Sequence, residues 1–171
     1  MASPGQRQAG FTLLELLVVM LIIGIIISFA SLSIGQNTSR VVQDEAERLQ
    51  GLLRMASEEA VLQGRELALE FSRDGYRFLE LNSKGDWLPI EQDKLFRERP
   101  LPPVVHLHLL VEGVVANFDD KDHPPRILAL SSGELTSFEL ELSIDDGESY
   151  QLQGQVDGKL QLTRGEVGDE G

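Results

Sequence analysis

The chain of 171 residues contains no cysteine, so disulfide staples, thiolate metal sites and thiol nucleophiles are all excluded. Histidine is scarce, at three residues, and there is one tryptophan. Basic residues are outnumbered 15 to 28 by acidic ones, for a net charge of −13. Such a balance disfavours a phosphate backbone or an anionic lipid surface as partner of the soluble part. Between Phe11 and Gln63 there is no proline, so nothing there forbids a long helix. No glycine-rich phosphate loop, Gly-x-Ser-x-Gly or His-Glu-x-x-His motif occurs, so no catalytic residue and no cofactor is expected.

What the sequence does have is an apolar run. From Phe11 to Ala30 only Thr12, Glu15 and Ser28 are polar. Twenty residues at the helical rise cover about 30 Å, the thickness of a bilayer core. A secretory signal peptide would have a shorter apolar core behind a basic stretch, whereas here Arg7 is the only basic residue before the run. Two readings remain: a plain membrane anchor, or an anchor whose carboxylate serves assembly. A carboxylate inside hydrocarbon costs about 2.5–3.5 kcal/mol, so Glu15 calls for a reason.

Beyond the run, Val42, Ala46, Leu49, Leu52, Leu53, Ala56, Ala60 and Val61 recur at helical steps. Asp44, Glu45, Glu47, Arg48, Arg54, Glu58 and Glu59 are expected on the opposite face. The pattern predicts one helix, softened at Gly24 and Gly35, ending at Gln63-Gly64. The period then changes to two. Strands are expected in 66–71 and 76–81 around the turn Asp74-Gly75, then in 104–111, 114–118, 126–130, 137–144, 150–155 and 160–162. The expected fold is therefore α+β. A long N-terminal helix, transmembrane in its first half (11–30) and amphipathic in its second (31–63), packs on an antiparallel β-domain (64–165) with a short tail (166–171). Two stretches exceed hairpin length: Asn82–Pro103 with Trp87 and Phe96, and Glu112–Pro125 with Asp119, Asp120, Asp122 and His123. They read as surface loops, with Trp87 folded back as core, or as docking surfaces. His106 and His108 share a strand face at two-ligand spacing without an identifiable third ligand, and the aspartates read as solvated, so no metal is expected.

Gly10-Phe11-Thr12-Leu13-Leu14-Glu15, opening the apolar run, resembles the processing site of type IV pilins and pseudopilins. The resemblance implies a hydrophilic leader, 1–10, removed between Gly10 and Phe11 by the prepilin peptidase, and N-methylation of the new terminus at Phe11. Cleavage also removes Arg7 and leaves the mature chain one unit more negative. It implies that Glu15 serves filament assembly by pairing with the terminal amine of Phe11 in a neighbouring subunit. Arg126–Phe138, with Gly133 inside, and Gly158-Lys159-Leu160 look like the strand–glycine–strand block of the H-type minor pseudopilins of type II secretion. That likeness implies a β-sandwich and a structural, non-enzymatic subunit at the tip of a periplasmic pseudopilus. The implied partners are the I, J and K minor subunits, the G-type major subunit and the inner-membrane assembly platform. The implied location is the inner membrane of a Gram-negative bacterium, single-pass, with the C-terminal domain periplasmic. A type IV minor pilin, acting in pilus assembly or in DNA or surface binding, is the alternative.

Overall fold

The computed structural model describes residues 13–91, 93–145 and 147–165, with the side chains of 27–38 excepted. The expected leader 1–10, the Gly10–Phe11 pair and the expected tail 166–171 lie outside the described residues. The chain divides into two compact units, 1–37 and 38–171.

Helix α1, Leu13–Gln63, runs through Gly24 and Gly35. In the first unit its described side chains, Leu13 to Ile26, are all exposed, and all but Glu15 and Gly24 are apolar. That described stretch is roughly 20 Å long at the helical rise. Among the described residues no helix is long and apolar enough to cross a membrane. The expected span, 11–30, continues past both ends of this stretch.

In the second unit α1 ends where glycine allows the chain to turn: Gly64 has φ 63°, and the Arg65 amide closes the last turn on the Ala60 carbonyl at 3.1 Å. Among the described residues ten strands follow: β1 Leu67–Ser72, β2 Gly75–Leu81, β3 Trp87–Pro89, β4 Arg99–Pro100, β5 His106–Val111, β6 Val114–Val115, β7 Arg126–Ala129, β8 Phe138–Ser143, β9 Ser149–Gly154 and β10 Leu160–Gly165. They form two antiparallel five-stranded sheets. One runs β3-β2-β1-β7 with β4 also on β2, and the other runs β10-β9-β8-β5-β6. Chain alternation places Leu67, Leu69 and Phe71 of β1 on the inner face with Tyr76 and Phe78 of β2. From the second sheet come Leu109, Phe138, Leu140, Leu142, Tyr150 and Leu152. The α1 stripe joins both sets in a single core.

The structure departs from the sequence pattern in four places. Segment 82–103 contains β3 and β4, and Phe96 within it is core, its ring 4.9 Å from that of Phe78. Trp87 is only half-buried, on β3. Val61, read as part of the buried stripe, is half exposed. Glu45, read as solvent-facing, is 1 % exposed. Its carboxylate tolerates this because the Tyr76 hydroxyl donates to it at 2.7 Å and the Arg48 guanidinium pairs with it from the next turn.

Candidate assembly site

Glu15 lies in the first turn of α1 and is exposed among apolar neighbours. A carboxylate there faces the positive end of the helix dipole, worth about 0.3–1 kcal/mol. Gly10 and Phe11, the residues expected at the processing site, fall outside the described residues. Leu13 to Ile26 therefore present an apolar cylinder carrying one acidic group, which suits hydrocarbon or neighbouring apolar helices better than water.

The second unit displays its polar chemistry differently. Glu45, Tyr76 and Arg48 form a hydrogen-bonded group between α1 and β2. Burial, followed by the bond to Glu45, holds the Tyr76 phenol above its ordinary range. At the far end of the helix Arg65 bridges Glu59 of α1 and Glu80 of β2, both at 2.8 Å. On the outer face of the first sheet, Glu70 is directly opposite Arg77 on one neighbouring strand and Arg126 on the other. Each guanidinium Nε donates to its carboxylate at 2.7 Å, which is why a glutamate only 4 % exposed is stable there.

The 112–125 segment is held by its own aspartates. Asp119 pairs with Arg73 of the β1–β2 turn. Asp120 accepts the amides of Asp122 at 3.0 Å and His123 at 2.9 Å, and the His123 bond is the main reason its carboxyl lies below the usual range. His106 Nε2 is 3.1 Å from Asp145, and His108 stands opposite Glu141 in the β5–β8 register. Among the described residues no group of three His, Cys, Asp or Glu is placed to hold a metal ion.

The two glycine turns of the strand–glycine–strand block come together. Gly133 (φ 90°) and Gly158 (φ 80°) approach so closely that a Cβ on Gly158 would be 3.1 Å from the Gly133 carbonyl oxygen. With Arg54, Ser57, Glu58, Val61 and Leu62 they line an open groove of about 590 Å³ at the end of α1. Leu62 at 81 % exposure and Val61 at 50 % make its wall apolar. Helical spacing alone missed this groove, because it places Val61 on the buried stripe; the signal was the pair of adjacent apolar residues at the helix end.

Comparison with known proteins bears on both ends of the chain. The family model described as Prokaryotic N-terminal methylation motif matches residues 5–31, and that described as Type II transport protein GspH matches residues 45–158. The chain belongs to the GspH family. Among curated relatives, type II secretion system protein H of Pseudomonas aeruginosa is 39 % identical over 95 % of this chain and 98 % of its own length. The protein of the same name from Aeromonas hydrophila is 29 % identical over 96 % and 98 %. In fold, this GspH-family chain is similar to the minor pseudopilin EpsH from the type II secretion system of Vibrio cholerae. The TM-score is 0.63 at 22 % identity, covering 73 % of this chain and 97 % of that one. The α+β architecture inferred from sequence is thus shared with a solved relative.

Proposed function

We propose that this chain is a minor pseudopilin, a structural subunit of the pseudopilus of a type II secretion system. It assembles with other pseudopilins and assists export of folded proteins. One observation carries the reading: a glycine–phenylalanine pair and a glutamate four residues on, opening an apolar helical run, joined to a GspH-type β-domain in one chain. The prepilin peptidase cuts between Gly10 and Phe11, the Phe11 amine is methylated, and residues 11–30 anchor the chain in the inner membrane with the β-domain outside.

Glu15 then meets the Phe11 amine of the adjacent subunit. Each charge is costly alone in an apolar bundle, and together they form a contact that depends on axial register. The I, J and K minor subunits and the G-type major subunit are the partners, with this chain near the tip. Mass spectrometry of the native protein tests the processing step. A mature N-terminus at methylated Phe11 is the expected product, and residues 1–10 still attached in a secretion-competent strain overturn the reading.

A further inference from the structure

We propose that the free edge of β10 is a strand-addition site, which takes up an extended, uncharged segment of a neighbouring subunit with alternating apolar and polar residues. The inference rests on the pseudopilin reading for the source of that segment, but its geometry does not.

Among the described residues, β10 is the one sheet edge that is both long and open. On the first sheet, one edge consists of the three residues of β3 and the two of β4, interrupted by Pro89 and Pro100. Its other edge, β7, is covered: the Leu128 amide donates to Thr136 Oγ1 at 3.0 Å, its carbonyl accepts the Thr136 amide at 2.9 Å, and Ala129 bridges to Leu135. On the second sheet, β6 has two residues and leaves β5 bare only over 106–108. By contrast β10 has six residues, pairs with β9 without a break in register, and contains no proline. Natural sheets blunt exposed edges with prolines, bulges, short strands or covering segments. The other three edges are short, interrupted by proline or covered, whereas among the described residues β10 carries one charged side chain, Arg164, itself paired with Glu148.

The hairpin bond from the Gln155 amide to the Lys159 carbonyl, 3.0 Å, fixes which backbone groups face outward. Ladder alternation then turns Gln161, Thr163 and Gly165 towards β9, and directs the amides and carbonyls of Leu160, Leu162 and Arg164 away from it. Among the described residues, none of those outward groups has a hydrogen-bond partner. What satisfies a row of alternating donors and acceptors is another strand. The side chains define its chemistry. Leu160 and Leu162 are half-buried on the core side, whereas Gln161 and Thr163 are exposed on the outer side. The flanking charges are already neutralised, Lys159 by Asp157 and Arg164 by Glu148, so the edge selects no charge. At its start, Gly158 opens onto the groove walled by Val61 and Leu62, which receives an apolar side chain of the incoming segment.

The test is hydrogen exchange on the full-length chain in bacterial membranes, with and without the other pseudopilins of its secretion system co-expressed. In the co-assembled sample the amides of Leu160, Leu162 and Arg164 are expected to exchange at least about tenfold more slowly. Arg164→Pro, which removes one outward amide and leaves the β9 ladder, abolishes that protection, and Arg164→Ala retains it. Co-purification with 160–165 exchanging at the isolated rate overturns the inference alone. Protection that grows with the concentration of this chain by itself replaces the partner with a second copy and overturns it too. Failure to co-purify with any pseudopilin overturns both the inference and the functional reading.

Discussion

Replacing Tyr76 by phenylalanine removes one oxygen and leaves the ring, 6.1 Å from that of Phe71, in the core. The loss falls on Glu45, whose carboxylate is buried and then depends on Arg48 alone. A hydrogen bond to a charged group contributes about 1.5–3 kcal/mol, and Arg48 sits at the half-exposed rim, so about 2 kcal/mol of destabilisation is expected. Glu45→Met costs a similar amount, because the Tyr76 hydroxyl is then orphaned. The double variant removes both polar groups and costs less than the two singles together, with a coupling of about 1–2 kcal/mol. Urea unfolding of the unit from Thr38 onward measures all four states. The pH dependence has a definite sign. The phenol is raised in the folded state above its ordinary value of 10.0, so its contribution is complete below that pH and is lost as pH rises above it. The native sequence therefore loses more stability above pH 10 than Tyr76→Phe does. A Tyr76→Phe change below about 0.3 kcal/mol, or strict additivity in the cycle, refutes the argument that this hydroxyl supports a buried charge.

Three further outcomes are expected. Glu15→Ala leaves membrane insertion intact but prevents incorporation into filaments, read by membrane fractionation beside a filament shearing assay; normal incorporation contradicts the pairing role. Gly158→Ala forces a left-handed residue to carry a Cβ against the Gly133 carbonyl and lowers stability by about 1–2 kcal/mol in thermal unfolding, whereas no change would place the strain elsewhere. Asp119→Ala breaks an exposed pair with Arg73 and shifts stability by under about 1 kcal/mol; a larger loss would show that the 112–125 segment relies on that contact.

Periodicity made most of the second unit legible. The three- and four-residue steps from Val42 to Ala60 and the two-residue alternation of β1, β2, β8 and β9 each correspond to a face that must be buried, and each is. Failures came where a polar atom finds a partner distant in sequence. Glu45 depends on Tyr76 and Glu70 on Arg126, 31 and 56 residues away, and no local pattern announces either. Segment 82–103 was unreadable for a related reason: prolines at 89 and 100 end strands that exist only because β2 offers them an edge. The processing signature was the reverse case. Gly10, Phe11 and Glu15 were assigned by resemblance to the pilin processing site, and the described residues place only Glu15.

The Glu45–Tyr76 bond has a mechanical corollary. Sliding the outer part of α1 by even one residue along the first sheet, about 1.5 Å, would strand a carboxylate in hydrocarbon-like surroundings. A push delivered to that stretch of helix therefore reaches the sandwich without slippage, and the two advance as a single rigid piece.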